Sequence, residues 1–571
     1  MRTKKGAEKT LKEVLLNHIG VSDTEEINDW FRKNYDNDYR LDGLDQAKEI
    51  IDQFKEKEIH IMGDYDVDGV TATSIMYMGL KMYGCKNIFY RTPKRFSEGF
   101  GMKRTMLEEI PEDDSLIITV DNGIAALDAV DYAKSRGMTV IVTDHHLAGV
   151  DDEGNPVLPL NADLIIDPEA ITGSADYSGY CGAGIAYKLI RHLIGDKAKV
   201  LECIAAIGTV ADVMELREEN FVIVKNGLHN LEKTPIYGLR ALLRQLNKTD
   251  HISADDVGYL IGPCLNAPGR LIDDGSMKSI ELITADNEKD AERLASFIIE
   301  QNYTRKKLLE KATKEAEKII EEEKTGNNIP VIVNVPNTNE GVIGIVASRI
   351  MEKYNRPAII FTNSEKAGEL KGSCRAPEGF NMKAVLDRIQ NETVVYGGHA
   401  GAAGVTILES NYKNFCEKCI YASEPEMYKP IPNTDIMYDI EISVDDIPES
   451  IDLIEKFSPH GMGNPKVIVK IPDFMNIPKN GLYKTLVGTE GIKLYGNDNT
   501  VAVNFHAAKD FKDCEKPEKM ALYGEISYNY FRGNKTPQIN FVDFEILSSV
   551  NENPNATPFA DILSVMASMR N

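Results

Sequence analysis

Three times between residues 58 and 146 a run of apolar, mostly β-branched residues ends abruptly in acid. The segments read EIHIMGDYD (58–66), SLIITVDNG (115–123) and MTVIVTDHH (138–146). Helical patterns separate them, TATSIMYMGLKMYG (71–84) and LDAVDYAKSRG (127–137). Strands that are continuously apolar rather than alternating are buried on both faces, as in a parallel sheet covered by helices. In such sheets chemistry gathers at the carboxyl ends of the strands, and here those ends carry carboxylates. The expected fold class is α/β, built on a parallel-sheet domain.

At 571 residues the chain has room for about three or four domains. Residues 1–50 read as a polar N-terminal helical segment, with SDTEEIND (22–29) as a capping box. Residues 51–285 form the first α/β domain, mostly helical after 180. Residues 286–328 hold a long charged helix whose thin apolar stripe suggests a bridge between two lobes across solvent. A smaller α/β domain follows at 329–428, with PVIVNV, GVIGIVASRIMEKY and PAIIF. PIPNTD (430–435) reads as a linker. Residues 432–548 hold short alternating strands expected to close into a small β-barrel, and 549–571 form a tail. No segment reaches the ~18 unbroken apolar residues of a membrane span, and the N-terminus lacks an apolar signal core. No membrane partner and a cytoplasmic location are expected. Cys416 and Cys419 make the one CxxC, without the second pair that a structural zinc site requires.

Asp64, Asp66 and Asp68, spaced i, i+2, i+4 in DYDVDG, bring negative charge together at a strand end. Unneutralised carboxylates this close repel and raise one another's pKa, a penalty that a divalent cation removes. The motif also resembles the opening of a calcium loop, but its twelfth position is Ile75 or Tyr77 rather than Glu. Asp121 closes the second strand, Asp144-His145-His146 close the third, and Asp212 lies in GTVADVMEL. Imidazole among carboxylates suits Mn²⁺ or Zn²⁺ better than Ca²⁺. Several shareable acids are what two ions ~3.5–4 Å apart require, an arrangement suited to in-line phosphoryl displacement. The net charge of −24 argues against a protein that coats duplex DNA. It leaves room for an enzyme whose acids hold cations while basic residues line one groove.

In this order, DYDVDG, TVDNGI, TDHH and GTVADV resemble the four motifs of the DHH phosphoesterase superfamily. RFSEGFG (95–101), GPCLNAPGRL (262–271), EGVIGIVASRI (340–350), KGSCR (371–375), GGHAGAAG (397–404) and HGMGNP (460–465) narrow the resemblance to the RecJ family of single-strand-specific exonucleases. The resemblance covers about 50–548. It implies a DHH domain, a connecting helix, a DHHA1 substrate-binding domain and a C-terminal OB-fold. It implies two divalent metal ions, Mn²⁺ in preference to Mg²⁺, held by Asp66, Asp68, Asp121, His145 and Asp212. It gives His146 a catalytic or phosphate-contacting role; Asp144 and Asp64, which match the motifs too, are expected to orient ligands, with direct metal contact as the alternative for Asp64. The implied reaction is 5′→3′ hydrolysis of single-stranded DNA to 5′-mononucleotides in recombination and repair. The implied partners are single-strand-binding protein and a RecQ-type helicase, with the chain itself a monomer.

Ser373, Arg375, Gly398 and His399 match the family's DHHA1 segments and are expected to take a terminal phosphate, with Asn266, Arg270 and Arg349 as further backbone contacts. Arg91, Lys94, Arg95 and Arg104 are expected to line the path. Asn339 stands where RecJ-like chains usually carry His. Tyr528 and Tyr530, beside Arg532 in SYNYFRGNK, would stack bases. Two other readings are a DHH phosphodiesterase acting on short oligonucleotides or cyclic dinucleotides, and an inactive DHH scaffold in a replication complex. The β-rich module argues against the first and the intact acids and histidines against the second.

Overall fold

A computed structural model describes residues 10–21, 39–151, 153–429, 438–479, 484–487, 491–497, 500–505, 511, 517–531 and 534–549. The SDTEEIND cap, the PIPNTD linker, Arg532, Cys514 and the tail beyond 549 lie outside the described residues. The chain divides into two compact units, 33–433 and 1–32 with 434–571.

The larger unit begins with a five-stranded parallel sheet. Its strands are β1 (Glu58–Met62), β2 (Asn87–Arg91), β3 (Leu116–Val120), β4 (Thr139–Thr143) and β5 (Leu164–Ile166), ordered β2-β1-β3-β4-β5. Every residue of β3 is buried, as its unbroken apolar run requires. Ile59, Ile61, Ile118 and Val120 pack on one face with Val70, Ile75 and Leu80 of helix α1 (Val67–Tyr83). Ile117, Val140 and Val142 pack on the other with Met102, Leu107 and Val130. Each such side chain contributes ~1.5–3 kcal/mol on burial. The parallel register aligns the strand ends, so Asp121, Asp144 and Asp167 follow β3, β4 and β5 directly.

Helices α2 (Gly182–Ile194) and α3 (Glu202–Ala211) pack into the same core. Helix α4 (Gly262–Leu271) carries Asn266 and Arg270. Helix α5 (Glu288–Glu323) runs for 36 residues, about 54 Å at 1.5 Å per residue. It is not a bare bridge across solvent. Ala291, Leu294, Ala295 and Ile298 belong to the core of the first sheet, whereas Leu309, Ala312, Ala316 and Ile320 belong to that of the second. At the changeover the buried residues are polar, Asn302 and Arg305. A thin stripe suffices because each half of the helix serves a different core.

The second sheet comprises β6 (Val331–Asn334), β7 (Ala358–Asn363), β8 (Glu369–Arg375), β9 (Val395–Gly398) and β10 (Ala402–Leu408), ordered β9-β10-β8-β7-β6. Helix α6 (Glu340–Tyr354) lies between β6 and β7 in sequence. A Cβ at Gly341 would stand 1.8 Å from the Arg270 carbonyl, so only glycine allows the start of α6 to approach α4 this closely.

In the smaller unit, β11 (Ile440–Glu441), β12 (Val469–Met475), β13 (Thr485–Val487), β14 (Gly491–Tyr495), β15 (Val501–Asn504), β16 (Pro517–Phe531) and β17 (Asn534–Ser549) form one sheet, ordered β11-β12-β16-β17-β15-β14-β13. Helix α7 (Ile447–Lys456) packs on it. The N-terminal helix Leu11–His18 completes this core, with Val14, Leu15 and Leu16 buried among Ile447, Ile451 and Val469. Among the described residues no helix is long and apolar enough to cross a membrane.

Candidate metal centre

The strand-end acids converge. His145 Nε2 lies 3.1 Å from Asp121 Oδ1 and 3.7 Å from both Asp68 Oδ2 and Asp212 Oδ2. Three sets of donors each fall within 4.8 Å of one another: Asp121, His145 and His146; Asp68, His145 and Asp212; Asp64, Asp66 and Asp121. Asp121 belongs to two sets and His145 to two, so the sets share ligands.

Local structure explains how the acids are presented. Asp66 caps α1, its Oδ1 accepting from Gly69 N at 3.0 Å. Asp68 accepts from Gly182 N at 2.6 Å and Ala183 N at 2.9 Å, at the positive end of α2. A Cβ at Gly182 would stand 2.4 Å from Asp121 Cβ, so glycine is what lets that helix terminus reach the acids. Asp121 and Val213 both sit in the left-handed region, at φ 62° and 58°. For β-branched Val213, immediately after Asp212, this is genuine strain.

Electrostatics show charge awaiting a partner. Burial lifts Asp64 and Asp121 well above the usual carboxylate range, and the charges of Asp66 and Asp68 respectively add to it. Burial and Asp68 raise Asp66 as well. Asp212 is pushed up to about 8, by burial and then by Asp68 and Asp66. Two carboxylates ~4 Å apart repel by about 4 kcal/mol at an effective dielectric near 20. Burial pulls the His145 imidazole down and so favours the neutral ring that ligates metals. A buried set of carboxylates and a neutral imidazole within ligand distance fits divalent cations.

Asp144 plays a different part. Its Oδ1 meets His146 Nδ1 at 2.7 Å and accepts from His145 N at 2.8 Å, while Oδ2 accepts from Ile124 N at 2.9 Å. Burial would raise this carboxyl, but those bonds hold it below its ordinary value. Burial likewise opposes charge on His146, yet the Asp144 hydrogen bond and charge outweigh it and push the imidazole up to about 9. Asp167 was not singled out from the sequence, although LIID repeats the apolar-then-Asp pattern. It is buried, pushed up to about 7 chiefly by burial, and its Oδ2 has no partner.

Beside the acids lies a group of arginines. Arg270 Nη1 donates to Gly341 O at 3.3 Å, and Arg375 donates to Ser373 Oγ at 3.3 Å and Cys374 O at 2.7 Å. Arg305, also missed in the sequence, donates to Asn302 Oδ1 at 2.9 and 3.1 Å. These bonds are all to neutral acceptors. Burial, then repulsion from Arg95, Arg305 and Arg375, pulls Arg270 down to about 9, while Asp66 pulls the other way. Arg270 is thus close to the other three cations and to Asp66, and among the described residues no carboxylate pairs with Arg270, Arg305 or Arg375. Asn266 Oδ1 is buried without a partner. Gly398 and His399 form an exposed β9–β10 hairpin, with His399 N bonded to Ala402 O at 2.7 Å and Arg375 paired with Ala402 across β8 and β10. Arg349 is exposed on α6.

Several placements differ from the expectations. Arg91 is bound to Glu98 and Glu109, each at 2.6 Å, and Arg104 to Glu108 at 3.0 Å, so neither offers an unpaired charge to a path. Asn339 caps α6, its Oδ1 accepting from Gly341 N at 2.8 Å, which commits the atom that would mimic an imidazole acceptor. Tyr528 and Tyr530 lie in the smaller unit and turn toward α7. Their hydroxyls meet Pro448 O at 3.1 Å and Glu455 Oε1 at 3.4 Å, and Lys535 Nζ covers the Tyr528 ring at 3.6 Å. Cys416 and Cys419 lie on one helix, with both thiols raised by burial.

A parallel sheet whose strand-end acids and histidines meet, joined by one helix to a second α/β sheet, defines a DHH–DHHA1 protein. Residues 58–211 match the DHH family, N-terminal domain, 328–422 the DHHA1 domain and 438–543 the RecJ OB domain. The single-stranded-DNA-specific exonuclease RecJ of Salmonella typhimurium is 35% identical over 407 residues, 66% of this chain and 69% of that one. That of Bacillus subtilis is 32% identical over 517 residues, 88% of this chain. The chain spans 64% of the length of the Bacillus relative. Crystalline RecJ from Thermus thermophilus in complex with Mn²⁺ shares the fold, with a TM-score of 0.75 at 24% identity over 95% of this chain and 76% of that one. A RecJ exonuclease structure bound to manganese is 29% identical, with a TM-score of 0.59 over 68% of this chain and 96% of that one. The chain belongs to the RecJ family.

Proposed function

We propose that this protein is a metal-dependent exonuclease that degrades single-stranded DNA from its 5′ end, releases 5′-mononucleotides and serves recombination and repair. The observation that carries the reading is the adjacency of two opposed charge clusters. Acids that need cations stand beside the half-buried Arg270, and Arg95, Arg305 and Arg375 close to it add positive charge that needs anions. A phosphodiester held by divalent ions on one side and guanidiniums on the other satisfies both.

In this reading Asp66, Asp68, Asp121, His145 and Asp212 hold two ions, and the sharing of Asp121 and His145 among donor sets supports a pair. The imidazole in the donor set favours Mn²⁺ over Mg²⁺. Ions bound there supply the positive charge that polarises a phosphodiester and acidifies an attacking water. Asp144 holds His146 by its Nδ1 and keeps it protonated, so that Nε2 donates to a phosphate oxygen or to the departing 3′-oxygen. Arg270, Arg375 and Ser373 bind phosphate, with Asn266, Arg349, Gly398 and His399 as further contacts. The relatives' name, single-stranded-DNA-specific exonuclease, supports the substrate. The protein acts as a monomer in the cytoplasm, alongside single-strand-binding protein and a RecQ-type helicase. Base stacking by Tyr528 and Tyr530 requires both rings to leave α7 first.

The test uses 5′- and 3′-labelled single strands, a duplex and an RNA, each with Mn²⁺, Mg²⁺ or chelator. Metal-dependent loss of 5′ label as mononucleotide from single strands is expected. Release from the 3′ end, or equal cleavage of duplex, overturns the reading.

A further inference from the structure

We infer that Asp273 is a positioning residue that seats the substrate-facing loop 94–101 against the metal centre; this rests on the proposed nuclease reading. Asp273 Oδ1 accepts from Phe96 N at 2.7 Å and Ser97 N at 3.2 Å, its Oδ2 accepts from Ser97 Oγ at 2.6 Å, and its carbonyl accepts from Arg95 N at 3.0 Å. One residue thus holds three consecutive residues of the loop. A Thr92–Ser276 hydroxyl contact at 2.7 Å supports the same junction.

The loop carries groups that reach the site from two sides. The Arg95 guanidinium lies over the Tyr65 ring at 4.5 Å, and it faces Arg270 and Arg375. Phe100 is partly exposed and meets His146 edge-on at 5.5 Å, while Gly101 N reaches Asp64 Oδ1 at 3.4 Å. Before phosphate arrives, repulsion among Arg95, Arg270 and Arg375 favours an outward swing of the loop, and the left-handed glycines Gly99 and Gly101 are natural pivots. Asp273 opposes that swing. Because it follows Arg270 by three residues, the same short segment sets the spacing of both arginines. Holding a binding group in place before substrate arrives lowers the cost of binding.

The test compares full-length, Mn²⁺-loaded wild type with Asp273→Ala, Asp273→Asn, Ser97→Ala and the exposed neighbour Asp274→Ala. Steady-state cleavage of a 5′-phosphorylated single strand, hydrolysis of bis(p-nitrophenyl) phosphate and hydrogen exchange are measured. Asp273→Ala should raise KM for the strand roughly tenfold or more, and should reduce kcat/KM on the strand far more than on the small diester. Ser97→Ala should show a smaller rise. Asp273→Asn, which keeps the Oδ1 acceptor, should return to within about threefold of wild type, and Asp274→Ala should match it. Amides of Phe96 and Ser97 should exchange faster in Asp273→Ala. An unchanged KM, an unchanged exchange rate or an Asp273→Asn as impaired as the alanine variant overturns the inference. If Asp273→Ala does not fold, Ser97→Ala decides: a raised KM with faster exchange at Ser97 supports the inference, and an unchanged KM or exchange rate overturns it. A wild type that cleaves no single strand sinks the nuclease reading and this role with it, whereas an active wild type matched by Asp273→Ala sinks this role alone.

Discussion

Gly182 donates its backbone N–H to Asp68 Oδ2 at 2.6 Å, so an acid from the start of α1 is seated on the first turn of α2. The residues are 114 apart in the chain. The same glycine grazes Asp121, leaving no room for a methyl group. Gly182→Ala should therefore push Asp68 and Asp121 apart. We expect Mn²⁺ affinity to fall at least tenfold, with a loss of stability on the order of 1–3 kcal/mol from overpacking. Calorimetric titration with Mn²⁺ and chemical denaturation measure the two effects, and wild-type metal affinity in this variant would contradict the geometry.

Asp121→Ala should abolish cleavage under every metal, because Asp121 joins two of the donor sets. Its left-handed backbone, φ 62°, makes Asp121→Asn and Asp121→Gly useful companions, since Asn and Gly tolerate that conformation. All three should lose activity while Asn and Gly keep near wild-type melting temperatures. Residual activity above a few percent in any of them counts against the site.

Metal affinity should rise with pH. Burial and like charge raise Asp212 to about 8 and lift Asp64, Asp66 and Asp121, so the metal-free fold binds protons that the ions must displace. A raised carboxyl favours the folded state below its unfolded pKa, near 4, and loses that contribution as pH climbs through its folded value. Chelator-treated protein should lose stability, on the order of a few kcal/mol, between about pH 4 and pH 8. Manganese-loaded protein should not, so the difference in Tm widens across that window. A constant difference would show that the acids do not carry protons in the free site.

Asp144→Asn should leave metal content unchanged yet cut kcat about a hundredfold. The carboxylate that orients His146 and keeps it protonated is lost, and the single amide oxygen that replaces it can accept from the Ile124 amide or from the His145 amide but not from both. If a protonated His146, held up by Asp144, sets the alkaline limb of the wild-type pH–rate profile, that limb should move toward neutrality. An unmoved limb removes His146 from proton donation.

Arg375→Ala should raise KM for single strands about tenfold and spare Mn²⁺ binding, since among the described residues Arg375 bonds only to Ser373 Oγ and its neighbour's carbonyl. Its KM should also become less sensitive to salt, because one phosphate contact is gone. An unchanged KM removes Arg375 from the phosphate pocket.

Much of this was legible in the chain because strand and cap signals are local. An apolar run ending in Asp marks both a buried parallel strand and the edge where its chemistry sits. That rule covers Asp64, Asp121 and Asp144, and it covered Asp167 as well had LIID been read the same way. Which basic residues stay unpaired was not legible. Arg91 and Arg104 read like Arg95 and Arg270 in one dimension, but folding brings Glu98, Glu109 and Glu108 against the first two. The buried pair Asn302 and Arg305 sits in a helix whose pattern is otherwise charged and regular, and only the handover between two cores makes it special. Likewise Leu11–His18 looks like any polar helix until it closes a core more than 400 residues away. Sequence periodicity determines which side chains are buried and which end of a strand carries charge, since these depend on neighbours one to four residues off. Tertiary structure alone decides which distant charges meet, because Coulomb energy and desolvation depend on separation in space, and nothing in a linear pattern encodes that.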